Sequence, residues 1–256
     1  NTIIHLAAKV GGIQANINNN LDFFLSNTFI NLNLISESYN LKIPRFLNVA
    51  STCMYPANIA KKIKEDMLFT GKLETTNEGY ALSKINALKL CEYINRQEPR
   101  FSYKTIIPCN MFGYYDKFDV GTGHLVPAII NKIIEAKINN KKNVAIWGSG
   151  NARREFMYAE DFAKIIIKIL DNFDEIPEIM NIGTGKDYKI NDYYNIVREL
   201  VGWKGSWKYD RNKPEGMKRK LADTYYQEKL NLMPKTSLKN GIKKTIKFYL
   251  NNLDEK

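Results

Sequence analysis

Tyr80 and Lys84 lie four residues apart in the segment YALSK. On a helix, this spacing places the two side chains on one face, one turn apart. A lysine ammonium near a tyrosine lowers the pKa of the phenol, and the tyrosine then donates its proton more easily near neutral pH. Because the same spacing recurs at Tyr209–Lys213 and Tyr225–Lys229, the spacing alone does not identify a chemical site.

Ser51 ends the apolar run RFLNVAS and adds a hydroxyl group to this candidate set. A serine hydroxyl can polarise a ketone oxygen while a tyrosine protonates it, so Ser51, Tyr80 and Lys84 could support reduction of a ketone by hydride. The alternative interpretation is an amphipathic helix with an exposed lysine and a serine that only terminates a strand. Spacing and strand order leave these two interpretations evenly balanced.

The elements that must position these residues follow from hydrophobic periodicity. Short β-branched runs predict strands at residues 2–8, 45–51, 103–109 and 143–150. Longer periodic segments predict helices at residues 21–39, 78–97, 127–138, 159–172, 190–201 and 237–252. This alternation predicts a doubly wound α/β sheet, with parallel strands joined by right-handed crossovers. In the first helix, we expect the inward residues to be Leu21, Leu25, Ile30 and Leu34.

The rhythm of the chain loosens from about residue 114, where loops lengthen and Gly, Asn and Lys become more frequent. We therefore predict a main sheet domain at 1–113 and a smaller, mixed α/β substrate-binding region at 114–256, with some segments returning to the sheet. Ligands of doubly wound sheets bind outside the carboxyl ends of the strands. Tyr80 opens a helix near such strand ends, whereas Tyr209 and Tyr225 fall in a basic stretch predicted to be irregular, so context favours Tyr80.

The composition limits the class of protein. Lys and Arg number 38 against 27 Asp and Glu, a formal charge of +11, which suits a nucleotide-linked substrate and cofactor or simply a lysine-rich surface. The lysines are spread out, which favours the second interpretation, and no nucleic-acid-binding motif is recognised. The chain contains three cysteines without metal-ligand spacing and two histidines, which argues against a metal site and indicates a reducing compartment such as the cytoplasm. We find no apolar run of about 18 residues and expect no membrane span.

Several longer motifs resemble those of one enzyme family: AAKVGGIQAN, CMYP, LETTNEGYALSK, KLCEYINRQ, IWGSGNARREF and NIGTG. They are similar to the GDP-L-fucose synthases, a branch of the extended short-chain dehydrogenase/reductases, over nearly the whole chain. The resemblance implies a Rossmann-like fold and NADPH-dependent conversion of GDP-4-keto-6-deoxy-D-mannose to GDP-L-fucose, by epimerisation at C3 and C5 and reduction at C4. The alternatives are a relative acting on another GDP-4-keto sugar, such as a 6-deoxyheptose or colitose precursor, and a non-catalytic GDP-sugar-binding subunit.

The resemblance assigns roles to five candidate catalytic residues. Ser51 and Tyr80 would handle the ketone oxygen, and Lys84 would lower the pKa of Tyr80 and hold the nicotinamide ribose. Cys53 and His124 would exchange the protons of epimerisation as base and acid. Without the resemblance, a lone cysteine is more often a small buried apolar residue, and a histidine before a helix can be a cap.

The resemblance also implies the binding residues. Those expected to contact NADP are Ala7, Ala8, Val49, Ala50, Ser51, Thr52, Tyr80, Lys84, Pro108, Cys109, Asn110, Met111 and His124. Those expected to contact the GDP-sugar are Lys132, Trp147, Arg154 and Glu215. Lys132 stands where the family commonly has an arginine, and a lysine keeps the charge but loses the two-pronged donor geometry.

The glycine-rich turn that seats a dinucleotide pyrophosphate is not found in this sequence; the loop VGGIQAN differs from it. By resemblance, the chain begins after that turn, and we expect roughly 60 residues of a Rossmann half to precede it in a longer protein. The segment 1–113 would then be the remainder of the NADP-binding domain. Family members pair through two long helices, so we expect a homodimer through residues 21–39 and 78–97.

Overall fold

The computed structural model describes residues 1–59, 61–121, 123–213 and 216–253. The strands are β1 (Thr2–His5), β2 (Arg45–Val49), β3 (Ser102–Pro108), β4 (Asn110–Phe112), β5 (Asn143–Trp147), β6 (Arg153–Arg154), β7 (Phe156–Tyr158), β8 (Ile179–Ile182), β9 (Tyr188–Lys189), β10 (Ser206–Asp210) and β11 (Arg219–Lys220). The helices are α1 (Ile13–Asn18), α2 (Asn20–Asn40), α3 (Glu78–Gln97), α4 (Leu125–Ile138), α5 (Ala159–Asp171), α6 (Ile190–Val201), α7 (Tyr225–Lys229) and α8 (Leu238–Asn251). Within the described ranges, no helix combines the length and apolar character that crossing a membrane requires.

The main sheet is parallel and has the strand order β1-β2-β3-β8. Strand β2 is buried on both faces, which explains its nearly continuous apolar sequence. Phe46 packs on one face with Ile35 of α2 and Cys91 of α3, while Leu47 packs on the other face with Ile165 of α5. Helices therefore cover both sides of a parallel sheet, and the prediction of a Rossmann-like α/β fold is confirmed.

Helix α2 turns a polar row toward the core. The prediction that Leu21 and Leu25 face inward is wrong: they are 70% and 43% exposed, whereas Asn27 and Asn31 are fully buried. Ile30 and Leu34 are partly buried. The amphipathic pattern of the sequence therefore misidentified the buried face of this helix.

Hydrogen bonds explain why asparagines fill the inner face of α2. Asn31 accepts from His5 Nε2 at 2.8 Å and donates to the carbonyl oxygen of Ser83 at 2.9 Å. Asn27 accepts from the backbone N–H of Lys9 and donates to the carbonyl oxygen of the same residue. A buried amide is tolerated when its donors and acceptors are paired, and these bonds join α2 to β1 and α3.

The second half of the chain builds a separate apolar cluster around α4, α6 and α8, with small strand pairs beside it. Strand β5 pairs with β10, β4 pairs with β7, and β6 lies between β9 and β11. The prediction that the basic stretch is irregular is wrong, because Tyr209 lies in β10 and Tyr225 begins α7. Strand β8 and helix α5 return to the main sheet, and the division at residues 113 and 114 stays a prediction.

Candidate active site

A cleft of about 570 Å³ opens beyond the carboxyl ends of β2 and β3, the edge at which doubly wound sheets bind their ligands. Residues from both halves of the chain line it. The predicted site residues among them are Ala50, Ser51, Cys53, Tyr80, Pro108, Cys109, Asn110, Met111, His124, Lys132, Trp147 and Arg154. Most of the residues singled out in the sequence thus line the same cleft.

Other predicted residues lie outside the lining of the cleft as far as the described residues show. Ala7 is exposed and Ala8 half-buried after β1, Val49 and Thr52 are buried around the end of β2, and Lys84 is buried on α3. Glu215, expected to contact the GDP-sugar, lies outside the described residues.

A short turn presents Cys53 to the cleft. Ser51 caps a single 3₁₀ turn, Thr52–Met54, by accepting a hydrogen bond from the backbone N–H of Cys53 on its Oγ at 3.3 Å. The neighbours Thr52 and Met54 are buried, whereas Cys53 is half-buried and lines the cleft. The hydroxyl of Ser51 keeps its own proton to donate toward the cleft.

The start of α3 is fixed against α2 through Gly79. Its backbone N–H donates to Asn20 Oδ1 at 2.7 Å, and a Cβ at this position would lie 2.3 Å from the backbone oxygen of Asn20. Only glycine allows such an approach. The next residue is Tyr80, whose ring meets Phe23 edge-on at 6.5 Å between centroids. These contacts determine where the phenol enters the cleft wall.

Burial raises the pKa of Tyr80 well above the usual value, and the nearby Cys53 side chain raises it further. The prediction that the pKa of Tyr80 is lowered by Lys84 is therefore wrong for this structure. The ammonium lies 5.9 Å from the centroid of the Tyr80 ring, and the pKa of the phenol follows from its desolvation instead. A raised pKa keeps the phenol protonated near neutral pH, as a proton donor must be.

Lys84 is 2% exposed and donates from Nζ to the backbone oxygen of Val49 at 3.0 Å. Burial lowers the pKa of this ammonium to about 8, while the Cys53 side chain acts in the opposite direction. An ammonium carries three donors, and Val49 takes one of them. The remaining donors suit hydroxyl groups of a bound molecule.

The half-buried Cys53 thiol has two polar neighbours that the sequence analysis missed. Asn77 Nδ2 donates to its sulfur at 3.1 Å, and Lys220 Nζ lies 3.7 Å from the same atom. Asn77 comes three residues before Tyr80 at the start of the same helix, so its place in the motif was a usable signal. Lys220 is 167 residues away in the chain, among many lysines, and had no such signal.

His124 stands at the N-cap position of α4, where it also lines the cleft. Its side chain is 41% exposed, and its Nδ1 lies 3.7 Å from Asp116 Oδ1. The imidazole, the Cys53 thiol and the Tyr80 phenol give one cleft three groups able to move protons.

The far end of the cleft is basic and aromatic. Lys132 Nζ lies 4.9 Å from the centroid of the Trp147 ring, and Lys213 Nζ lies 5.4 Å from it. Burial lowers the pKa of Lys132. Arg154 donates from Nη1 to the backbone oxygen of Met217 at 2.5 Å. Cations beside a flat aromatic face suit a phosphorylated ligand that carries a sugar or a base.

Comparison with known proteins agrees with this architecture. Residues 1–183 match the profile of the NAD dependent epimerase/dehydratase family. A GDP-L-colitose synthase from Yersinia pseudotuberculosis is 48% identical over 251 residues, which cover 98% of this chain and 82% of the relative. A GDP-L-fucose synthase from Azorhizobium caulinodans is 46% identical over 248 residues, covering 97% of this chain and 79% of the relative.

A solved structure is also similar along nearly the whole chain. MlghC, a GDP-mannoheptose C4 reductase from Campylobacter jejuni with NADP bound, superimposes with a TM-score of 0.85 at 28% identity, covering 97% of this chain and 82% of its own. The resemblance to GDP-L-fucose synthases seen in the sequence motifs is thus confirmed. With the family profile matched over most of its length, the chain belongs to the NAD dependent epimerase/dehydratase family.

Proposed function

We propose that the protein is an NADPH-dependent GDP-sugar epimerase/reductase that converts GDP-4-keto-6-deoxy-D-mannose to GDP-L-fucose. The observation that carries this proposal is the shared cleft, to which Ser51, Cys53, Tyr80 and His124 all contribute lining atoms. This set combines a ketone-protonating pair with a separate thiol and imidazole. A plain reductase needs only the first pair.

The reduction uses Ser51 and Tyr80. The Ser51 hydroxyl donates a hydrogen bond to the C4 ketone oxygen, and Tyr80 delivers its phenolic proton to that oxygen as the alcohol forms. NADPH, when bound, supplies the hydride for C4. Because burial keeps the phenol protonated, Tyr80 is ready to act as an acid without prior protonation.

The chain offers suitable groups for the cofactor. Lys84 has donors beyond the one given to Val49, and these suit the ribose hydroxyls beside the nicotinamide. The backbone and side chains from Pro108 to Met111 form the cleft wall at the end of β3, where a flat ring can lie. NADP bound to a reductase of similar fold supports this choice of cofactor.

The epimerisation uses Cys53 and His124. A hydrogen on C3 or C5 is acidic because the adjacent C4 ketone accepts the electron pair as an enolate. The Cys53 thiolate takes that proton on one face of the ring, forming S–H, and the His124 imidazolium returns a proton to carbon on the other face. The cleft position of His124, with its Nδ1 3.7 Å from Asp116 Oδ1, supports this role.

The substrate's diphosphate and sugar would occupy the basic end of the cleft. Arg154 and Lys132 supply positive charge, and the ring of Trp147 supplies a flat surface. Glu215 remains a proposed contact from the sequence motif alone. These residues bind the nucleotide part, which does not change during the reaction.

Incubation of the full-length protein with NADPH and GDP-4-keto-6-deoxy-D-mannose tests the proposal. We expect stoichiometric NADPH oxidation, with GDP-L-fucose as the product identified by NMR. Binding of GDP without NADPH oxidation would contradict the proposal and favour the non-catalytic subunit. Reduction without inversion would leave the protein a plain 4-reductase.

A second candidate is the corresponding reaction on another GDP-4-keto sugar, because the 48% identical relative is a GDP-L-colitose synthase. A precursor without a hydroxyl group at C3 has no configuration to invert there. The two candidate functions can be separated by letting GDP-4-keto-6-deoxy-D-mannose and the precursor without a C3 hydroxyl compete for a limiting amount of enzyme. The ratio of their kcat/KM values identifies the preferred substrate.

We also infer that two copies pair through α2 and α3. Leu21, Leu25 and Phe29 form an exposed apolar row at helical spacing on α2, with Phe29 61% exposed, and Leu82 and Tyr93 are exposed on α3. A row of this kind on a monomer marks an interaction surface. A second copy of the same helices would cover it, as the family resemblance implies.

A further inference from the structure

The side chain of Asn77, at the start of α3, has an unusual hydrogen-bond partner. Asparagine at an N-cap position ordinarily accepts a hydrogen bond from a backbone N–H of the first turn. Here the Asn77 side chain makes no such capping bond, and its Nδ2 instead donates to Cys53 Sγ at 3.1 Å. The amide is therefore directed into the cleft rather than used to terminate its own helix.

The other half of the same amide supports this interpretation. In the part of the chain that the structure describes, Asn77 Oδ1 is buried without a hydrogen-bond partner. A buried, unpaired carbonyl oxygen is a cost that a residue of purely structural role would avoid. The Asn77 side chain thus leaves its Oδ1 unpaired while its Nδ2 donates to the Cys53 sulfur.

Lys220 approaches the sulfur as a second donor. Its Nζ lies 3.7 Å from Cys53 Sγ, and it comes from β11, an element remote from α3 in sequence. An amide N–H and an ammonium are both donors, so both favour a negatively charged sulfur over a neutral thiol. The two contacts are independent of the catalytic assignment of Cys53.

We propose that Asn77 is a positioning residue that orients Cys53 and stabilises its thiolate, with Lys220 adding a longer-range electrostatic contribution. The hydrogen bond from Nδ2 orients the sulfur and opposes its protonation. The role of that thiolate in moving substrate protons rests on the proposed function. The thiolate stabilisation itself does not, because it is a property of the protein without substrate.

Other charged and titratable groups share the cleft with the sulfur. Tyr80 and Lys84 on α3 interact electrostatically with Cys53, and Glu74, Asp116 and His124 line the same cleft. Substitution of Asn77 leaves all of these in place, so a change in its variants reports on the amide alone.

Alkylation of Cys53 by iodoacetamide, measured against pH, tests the proposal directly. Cys53 is half-buried while Cys91 and Cys109 are buried, so alkylation of the folded protein reports on Cys53. Only the thiolate reacts, and the rate rises with pH as the thiol ionises. In Asn77→Ala, we expect this rise to move to higher pH by about one unit, the loss of one charge-assisted hydrogen bond.

Asn77→Asp is the matched variant because it keeps the shape and replaces the donor with a carboxylate. We expect the alkylation rate of this variant to rise at a higher pH than that of Asn77→Ala. A mere loss of packing would not produce this order of the two variants. Asn33→Ala, on the exposed side of α2, should match the wild type. Profiles of both Asn77 variants that coincide with the wild type would overturn the proposal.

Salt separates the two donors. In Lys220→Met, the upward shift should be largest at low ionic strength and shrink in high salt, because a partly exposed charge is screened. The shift in Asn77→Ala should depend little on salt, because that contact is a direct hydrogen bond. If Cys53 proved dispensable for epimerisation, these profiles would stay as predicted, so failure of the proposed function and failure of this proposal are distinguishable.

Discussion

The buried ammonium of Lys84 is tied to the last residue of β2, donating from Nζ to the backbone oxygen of Val49 at 3.0 Å. This bond joins the helix that carries Tyr80 to the strand that leads to Ser51. The two elements that supply the ketone-protonating pair are thereby fixed to each other. The same burial lowers the pKa of the ammonium to about 8.

Lys84→Met should change the pH dependence of stability. The folded pKa is about 8 against an ordinary 10.5, so between these values the unfolded wild type binds more protons than the folded protein, and its stability rises with pH. The charged, buried lysine therefore costs stability below pH 8. We expect the stability of Lys84→Met, relative to the wild type, to fall by about 3 kcal/mol from below pH 8 to above pH 10.5.

Denaturant unfolding of both proteins across this pH range measures that difference, since all other titrating groups are shared. Lys72→Met, at an exposed lysine, is the control and should show a difference that hardly varies with pH. A constant difference for Lys84→Met would mean that the ammonium titrates as it does in water.

Tyr80→Phe should slow the reduction by about 10² to 10⁴-fold, because it deletes the proton donor while keeping the ring. Binding of the GDP-sugar should be nearly unchanged. Steady-state NADPH oxidation measures the first effect, and calorimetric titration the second. Tyr209→Phe and Tyr225→Phe remove exposed hydroxyls at the other two tyrosine–lysine pairs and should stay within a few fold of the wild type. Near-normal reduction by Tyr80→Phe would remove this residue from the chemistry.

Cys53→Ser should separate epimerisation from reduction. A hydroxyl of similar size holds its proton far more tightly than a thiol, so the base is lost while Ser51, Tyr80 and Lys84 remain. In D₂O, the wild type should incorporate deuterium at C3 and C5, and the variant should not, although it still oxidises NADPH slowly. NMR and mass spectrometry of the product measure both carbons.

Two further variants serve as comparisons for the deuterium exchange of Cys53→Ser. Cys91→Ala removes a thiol that is buried in the core beside β2 and should leave exchange unchanged. His124→Asn should impair inversion but could retain exchange at one carbon, because the imidazole supplies the returning proton. Exchange at both carbons at the wild-type rate in Cys53→Ser would make the thiol a packing residue only.

Arg154→Ala should weaken the binding of GDP by about tenfold or more, the loss of a charge-assisted contact to phosphate. KM for the GDP-sugar should rise more than kcat falls, because this contact is equal in the ground and transition states. Arg154→Lys should lie between the wild type and alanine, since it keeps the charge without the paired donors. Arg96→Ala, at the exposed end of α3, is the control. Unchanged GDP affinity in Arg154→Ala would assign the arginine to a structural role, such as its hydrogen bond to Met217.

Phe29→Glu should disrupt pairing of two copies, because it places a charge in the exposed apolar row of α2. Sedimentation velocity should show a dimer for the wild type and a monomer for the variant at the same concentration. Tyr115→Glu changes an aromatic residue that is even more exposed but lies away from α2, and it should remain dimeric. A wild type that sediments as a monomer would refute pairing through these helices.

Periodicity alone located most elements of the fold. Helix α3 was predicted at 78–97 and α6 at 190–201, and the structure has the same bounds. Strand β2 was recognisable because burial on both faces requires an apolar run. The face of α2 was not, because apolar counting assigns its leucines to the core, whereas Asn27 and Asn31 are inside, held by hydrogen bonds to distant parts of the chain.

The candidate site likewise contains residues that could be predicted from the sequence and contacts that could not. Ser51 and Tyr80 could be found because strand ends and helix starts are local features, whereas Cys53 was singled out through the family resemblance. The contact of Lys220 with Cys53 could not, because it joins residues 167 positions apart and one lysine resembles another in sequence. The raised pKa of Tyr80 also depends on burial, which spacing does not reveal.

The close approach of Gly79 to Asn20 makes the beginnings of α2 and α3 one mechanical unit. A side chain at position 79 would collide with the backbone of α2, so the joint has no slack in that direction. Tyr80 is the next residue, and a displacement of α2 at Asn20 is therefore transmitted to the phenol.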